Sequence, residues 1–382
     1  MNKLPDAALR PRGRRIDIMK REQGASVAIG PAVLTAFDAI LDVRSPSEYA
    51  LDHVPEAVSC PVLDDAERAR IGTLYQQVAP FEAKKRGAAL VAKNIARHVE
   101  TAFADKPPGW RPLVYCWRGG KRSAAMVHVL REIGWDARAL AGGYRAYRRF
   151  VVAELVRLAP RLRYRVIHGA TGSGKSRLLK ALARAGAQVL DLEELAAHRG
   201  SVLGDLPGRP QPSQKMFESL LRKALAAFAG ARPVYVEGES KRIGEVQVPD
   251  ALMQAMRASE CVRLEAAVPT RVALLLEEYR HFLADRAVLE AQLDCLVALH
   301  GRARIAAWQA LAARGAWHEL VATLLEEHYD PAYRRSAARN FARLAQARSL
   351  EVEAPDDACF ARLARELVAA RGEAHTEARV TA

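Results

Sequence analysis

The stretch Gly169-Ala170-Thr171-Gly172-Ser173-Gly174-Lys175-Ser176 constrains the fold of this chain more than any other. It matches the pattern G-x-x-x-x-G-K-[ST] at every defined position. The apolar run Tyr164-Arg165-Val166-Ile167-His168 precedes it, and Arg177-Leu178-Leu179-Lys180-Ala181-Leu182 follows with helical spacing. The pattern has physical meaning in that setting, a strand that turns through glycines into a helix. The glycines let successive backbone N–H groups converge on one centre, and the helix adds the positive end of its dipole. Such a loop cradles a diphosphate. Gly169, Thr171, Gly172, Ser173 and Gly174 form the cradle, Lys175 reaches the terminal phosphates, and the Ser176 hydroxyl can ligate Mg²⁺. A unit of this kind belongs to a parallel sheet with helices on its faces.

A second loop of the same type lies upstream. Pro112-Leu113-Val114-Tyr115 is a short apolar run and Ala124 to Ile133 reads as a helix; between them stand Cys116-Trp117-Arg118-Gly119-Gly120-Lys121-Arg122-Ser123. The turn and the helix dipole again make an anion nest, and Arg118, Lys121 and Arg122 add cations. This setting favours thiolate over thiol, and the thiolate is the nucleophile. A cysteine buried at a strand end is common, but it needs neither the glycines nor the cations. Cys116 therefore reads as catalytic, with Arg118, Lys121 and Arg122 beside it. Two reactions suit the loop: chalcogen transfer through the cysteine, and phosphate-ester hydrolysis, whose enzymes also use the spacing Cys-x5-Arg. Flanking blocks point to the first. Asp42-Val43-Arg44-Ser45-Pro46-Ser47-Glu48-Tyr49, His53-Val54-Pro55 with Ala57, and Gly134-Trp135-Asp136 leading to Leu140-Ala141-Gly142-Gly143-Tyr144 resemble the rhodanese signature in its expected order. The loop is longer than the Cys-x4-Arg of single-domain rhodaneses, which widens the pocket.

Composition bounds the partners. A chain of 382 residues is long enough for two domains, each with its own core. The formal net charge of +14 suggests a polyanionic partner, nucleic acid first and a membrane surface second, although a composition rich in Ala, Arg and Leu raises the charge as well. The five cysteines, Cys60, Cys116, Cys261, Cys295 and Cys359, show neither CxxC nor metal spacing, which argues against a zinc site and for a reducing, cytoplasmic setting. No apolar run approaches the roughly 18 residues that span a bilayer. Residues 1–25 carry Arg10, Arg12, Arg14, Arg15, Lys20 and Arg21 without an apolar core, so they read as a basic disordered tail, either solvated or an RNA-contacting arm.

Along the chain, residues 39–43 and 58–63 read as strands, with a helix opening at Ser45-Pro46. Residues 64–105 are a helical insertion whose Lys84, Lys85, Arg86, Lys93 and Arg97 form either a solvated face or part of an RNA platform. A helix from Tyr144 to Leu158 links the domains. Residues 188–193 and 233–239 read as strands with acidic ends, and Asp191 and Glu237 are candidates to hold Mg²⁺, the alternative being a helix cap or a surface acid. His168 reads as a packing residue. Arg199, Lys241 and Arg242 lie in polar loops where doubly wound sheets bind ligands, and could contact diphosphate or RNA phosphate. A strand over 261–265 precedes a helix from Pro269, whose stripe Val272, Leu275, Leu276, Tyr279 and Phe282 is either core or the lining of a pocket for a greasy substrate. Residues 287–371 read as all-helical, and the last dozen residues as disordered.

A rhodanese-like domain fused to a P-loop domain resembles the bacterial tRNA 2-selenouridine synthases. The likeness rests on the two loops and on Ile71-Gly72-Thr73-Leu74-Tyr75, Pro80-Phe81-Glu82-Ala83-Lys84, His198-Arg199-Gly200-Ser201, Pro212-Ser213-Gln214-Lys215 and Val236-Glu237-Gly238-Glu239-Ser240. The resemblance implies a two-step modification of wobble 2-thiouridine in the anticodon loop of tRNA. The P-loop domain would transfer a geranyl group from geranyl diphosphate to sulfur. Cys116 would then take selenium from selenophosphate as a selenyl-sulfide and replace the S-geranyl group. It further implies a selenophosphate-supplying partner enzyme; the apolar runs and the cysteines add the expectation of no membrane and a cytoplasmic setting, and the chain is expected to be a monomer. The rival readings are an ATP-dependent tRNA sulfurtransferase, a P-loop RNA-binding module with a non-catalytic rhodanese fold, and, more weakly, a fused phosphatase and kinase. The expected organisation is α/β. It comprises a tail over 1–25, a rhodanese-like domain over 26–150, a P-loop NTPase-like doubly wound parallel-sheet domain over 160–285, a helical region over 286–371 and a disordered tail over 372–382.

Overall fold

The computed structural model describes residues 26–380 except 78, 202, 239, 281, 283 and 284, so the basic segment 1–25 lies outside the described residues. The chain divides into two compact units, Met1–Ala153 and Glu154–Ala382.

In the first unit, β1 (Ser26–Val27), β2 (Ala39–Asp42), β3 (Val58–Ser59), β4 (Pro112–Tyr115) and β5 (Arg138–Leu140) form a parallel sheet of order β1-β5-β4-β2-β3. Strand β4 lies in the middle and is buried at every residue, as continuous apolar runs in parallel sheets are. Ile40 pairs with Leu113 and Leu41 with Val114. Strand β3 is shorter than the run 58–63 suggested: it sits at the sheet edge, and Pro61 has no N–H for a ladder. The insertion forms two helices, Asp65–Gln77 and Pro80–Glu100. Asn94 ties them to the domain, donating to Val62 O at 3.1 Å and to the Glu67 carboxylate at 2.9 Å. The core gathers Leu41, Val114, Met126, Leu130, Trp110 and Trp135, the two indoles meeting edge to face at 5.1 Å.

A buried ion pair fastens the end of β2. Asp42 and Arg44 are fully covered, with Arg44 Nη2 donating to Asp42 Oδ2 at 2.6 Å and to Asp52 O at 2.5 Å. The guanidinium lies 4.0 Å from the ring centre of Tyr144, whose hydroxyl donates to Asp52 Oδ2 at 2.8 Å.

The second unit contains β6 (Tyr164–His168), β7 (Gln188–Leu190), β8 (Val234–Glu237), a small antiparallel hairpin of β9 (Arg242–Ile243) and β10 (Val246–Gln247), β11 (Glu260–Glu265) and β12 (Arg348–Glu351). All but the hairpin form a parallel sheet of order β12-β11-β6-β8-β7. Strand β12 corrects the all-helical reading of 287–371. It is a four-residue edge strand in which Leu350 alone is buried, too short for an alternating pattern to show in sequence. Ile167, Leu178, Leu182, Phe360 and Leu363 fill the core beside the sheet. A separate helical core holds Leu293, Ile305, Trp308, Leu320 and Leu324. The last helix, Asp357–Val380, continues through most of the segment read as a disordered tail; Ala, Glu and Arg are strong helix formers there. No helix among the described residues is long and apolar enough to cross a membrane.

The Asp42–Arg44 pair yields a stability test. Arg44→Met leaves the Asp42 carboxylate stranded in the core, a change that costs about 3–5 kcal/mol. The amides of β4 should then exchange with solvent at least about a hundredfold faster. Unchanged protection would show that Asp42 is not left as a stranded charge when Arg44 is removed.

Candidate active sites

Strand β4 delivers Cys116 to its loop, where the residue is 4% exposed. The Gly120 N–H donates to Cys116 Sγ at 3.2 Å, and the Ser123 hydroxyl lies 3.2 Å from the same sulfur. The loop is fastened from behind. Tyr144 N–H donates to Cys116 O at 2.8 Å and Arg145 N–H to Trp117 O at 3.1 Å, both from the first turn of the helix Gly143–Leu158. Gly143 has φ of +54°, and a Cβ there would stand 2.2 Å from Cys116 O, so no other residue fits. Trp117 stacks on Tyr144 at 5.1 Å.

The electrostatics at Cys116 differ from the expectation. Burial pushes the thiol up. The Ser123 hydroxyl and the backbone N–H groups of Ser123, Gly120 and Arg118 outweigh it and hold the thiol below its ordinary value. The Arg118 and Lys121 side chains are exposed. Arg122 donates to Glu48 Oε2 at 3.0 Å, and Arg68 approaches the same carboxylate at 3.3 Å. The three cations thus surround the loop, but backbone and hydroxyl hold the sulfur.

The second loop joins β6 to the helix Lys175–Arg184. Gly172 and Gly174 have φ of +78° and +86°, and a Cβ on Gly174 would stand 2.4 Å from the Phe360 ring. Lys175 Nζ donates to Gly169 O at 3.0 Å, and Ser176 Oγ donates to Glu193 Oε2 at 2.9 Å. Thr171, Gly172, Gly174, Lys175 and Ser176 line a cavity of about 360 Å³ together with Glu193 and Arg199. Gly169 and Ser173 line a different cavity on the other flank of the loop.

Two candidates for Mg²⁺ fare differently. Asp191 is the N-cap of the short helix Leu192–Ala196 and accepts from Glu194 N–H at 2.8 Å; it does not line the cavity. Strand β7 stops at Leu190, so the carboxylate beside Ser176 comes three residues later, from Glu193. Glu237, buried at the end of β8, accepts from Glu193 N–H at 2.8 Å and so fixes that residue in place. Ser176 and Glu193 together suit a small hard cation, which takes one or two protein oxygens plus phosphate oxygens. Arg199 lies 5.1 Å over the Tyr279 ring and 3.6 Å from the Glu278 carboxylate. Lys241 pairs with Asp250 at 2.6 Å and Arg242 donates to Gly244 O at 2.7 Å; neither lines the cavity. His168 is buried beneath Gly238 and packs edge-on against Phe341 at 4.3 Å; burial, with Lys175 and Arg263, pulls it down to about 4.

An apolar pocket adjoins the cavity. Leu275 and Tyr279 line both, and Leu276, Phe282, Trp317 and Leu320 line the pocket alone. The stripe after Pro269 thus does two jobs, since Val272 packs into the core. The pocket measures about 60 Å³ as it stands.

Comparison with known proteins decides the family. A family model described as "Rhodanese-like domain" matches residues 31–150, and one described as "tRNA 2-selenouridine synthase AAA domain" matches residues 162–301. The tRNA 2-selenouridine synthase of Alcanivorax borkumensis is 33% identical over 77% of this chain and 88% of its own. That of Cupriavidus pinatubonensis is 33% identical over 80% of this chain and 90% of its own. The chain belongs to the tRNA 2-selenouridine synthase family. Against the Nitrosomonas europaea member, 37% identical, the matched region spans 65% of this chain and 65% of that relative's length.

Within this family frame, three residues carry more than their sequence positions announced. Ser123 touches the sulfur, Glu193 touches Ser176, and Glu48 holds Arg122. Ser123 could have been found from its place in the first turn after the loop. Glu48 and Glu193 could not, because only the folded chain brings them to their partners.

The balance at Cys116 is open to titration. Alkylation by iodoacetamide should reach half its maximal rate below the ordinary thiol pKa of about 8.5. Ser123→Ala should move that midpoint upward, and Lys121→Ala should leave it near wild type. A larger shift in Lys121→Ala would return the leading role to the cations.

Proposed function

We propose that this protein converts 2-thiouridine at the tRNA wobble position to 2-selenouridine, using one unit for each step. The observation that carries the reading is the apolar pocket beside the glycine loop, which shares Thr171, Leu275 and Tyr279 with the loop's own cavity: a diphosphate cradle with a greasy annex fits a prenyl diphosphate better than a nucleotide. The loop amides and Lys175 hold the diphosphate of geranyl diphosphate, while Leu275, Leu276, Tyr279 and Phe282 receive the hydrocarbon. A ten-carbon chain requires the pocket to widen beyond its present size. Mg²⁺ on Ser176 and Glu193 would neutralise the departing diphosphate.

The chemistry is alkylation at the C2 sulfur. The C1–O bond of the geranyl group breaks with its electron pair leaving on diphosphate, and sulfur forms the new bond to carbon. The S-alkylated base then carries a better leaving group at C2. Selenium supplied by selenophosphate through the Cys116 loop replaces it. The positive charge of the chain supports tRNA as the polyanion, with the unpaired anticodon loop as the part recognised. A selenophosphate-forming enzyme must stand upstream.

Mass spectrometry of nucleosides tests the assignment. Tests with 2-thiouridine tRNA, geranyl diphosphate and selenophosphate should give 2-selenouridine for wild type, accumulated S-geranyl-2-thiouridine for Cys116→Ala, and unreacted 2-thiouridine for Lys175→Ala. An unchanged base with ATP consumed by wild type would sink the reading in favour of an ATP-dependent sulfurtransferase.

A further inference from the structure

We propose that Cys116 attacks the phosphorus of selenophosphate, forming an S-phosphocysteine and releasing selenide beside the base. The inference rests on selenophosphate being the donor and specifies what the Cys116 loop does with it.

Electron balance is the first ground. Selenium in selenophosphate is already at the selenide level. A selenyl-sulfide on Cys116 places it two electrons higher, so an oxidant would be needed, and the proposed reaction supplies none. Attack on phosphorus needs none. The Sγ–P bond forms, the P–Se bond breaks, and its electron pair leaves on selenium. The selenide adds to C2 of the S-geranyl base, and the C2–S bond breaks to expel geranyl thiolate. Water then cleaves the Sγ–P bond, returning the thiolate and giving phosphate.

The loop is built for that sequence. The run from Cys116 to Ser123 has the Cys-x5-Arg spacing shared with phosphatases that attack phosphorus, and Ser123 follows the arginine directly. Gly120 N–H points at Sγ from 3.2 Å, and the helix Lys121–Glu132 begins at the next residue, so its dipole faces the same anion. Arg122 is half-buried and oriented by Glu48 at 3.0 Å. A guanidinium has five N–H donors, and a fork held in place suits the equatorial oxygens of a phosphoryl group in transfer. The Ser123 hydroxyl stands 3.2 Å from Sγ and 3.1 Å from Gly120 O. It can turn its proton from the carbonyl to the sulfur when the thiolate is expelled from the phosphocysteine.

The test labels the phosphorus. Phosphoryl and selenium adducts have nearly the same nominal mass, so the full-length protein is mixed with radiophosphorus-labelled selenophosphate, without tRNA, and quenched in denaturant. The expected result is label on the Cys116 peptide, resistant to dithiothreitol and absent from Cys116→Ala. Ser123→Ala should raise the steady level of labelled protein about tenfold, because expulsion of the thiolate loses a charge-assisted hydrogen bond. Arg122→Lys, which keeps the charge but loses the fork, should slow its appearance. Selenium without phosphorus on Cys116, released by dithiothreitol, would overturn the proposal, and so would no adduct at all. If the phosphoenzyme forms but geranylated tRNA gains no selenium, the tRNA reading falls while phosphoryl transfer to Cys116 stands.

Discussion

Both candidate sites depend on what a parallel sheet does at the carboxyl end of an interior strand. Strands β4 and β6 are buried in their sheets, so each must leave its ladder through a tight turn that ends in a helix. The N–H groups of that turn and of the first helical turn have no partner within the helix. Buried polar groups without partners are costly, so the fold either caps them or turns them toward an anion. In this chain both turns are glycine loops with φ values in the left-handed region, and in the first the Gly120 N–H is directed at the Cys116 sulfur. In one the acceptor is part of the chain itself, the Cys116 sulfur. In the other the cradle suits a ligand.

At Cys116 the contest between burial and hydrogen bonding is decided over very short distances. Burial on its own would make this thiol as inert as Cys60, which lies in the same core cluster and which burial pushes up to about 12. The difference lies in donors. Cys116 is at the mouth of a loop that offers N–H groups and a hydroxyl, whereas the next-largest influence on Cys60 is the negative charge of Asp42. The exposed cations nearby are screened by water and leave the sulfur to the backbone.

What the sequence disclosed follows the range of each interaction. The two strand–loop–helix units were legible because their requirements are local: an apolar run, glycines where φ is positive, then helical spacing. The insertion helices showed through their periodicity. Glu193 was hidden by a boundary: a strand over 188–193 leaves it an ordinary strand residue, whereas β7 ends at Leu190, Asp191 caps the next helix, and Glu193 falls in that helix's first turn beside Ser176. Strand β12 was hidden because its one buried residue, Leu350, carries no pattern until it meets Leu264 across the sheet. The apolar stripe from Leu275 to Phe282 was visible, but its double duty, in core and in pocket, depends on residues such as Trp317 and Leu320 from a later helix.

The hydrogen bonds behind the Cys116 loop have a mechanical meaning. They come from the first turn of the helix Gly143–Leu158, and the division between the two units falls within that same helix. The helix is a stiff rod, clamped at its start to the carbonyls of Cys116 and Trp117 by the N–H groups of Tyr144 and Arg145. Gly143 has no Cβ to cushion that contact. Any side chain at position 143 would therefore displace the Cys116 carbonyl itself, so the shape of the loop is set in part by a residue well outside it.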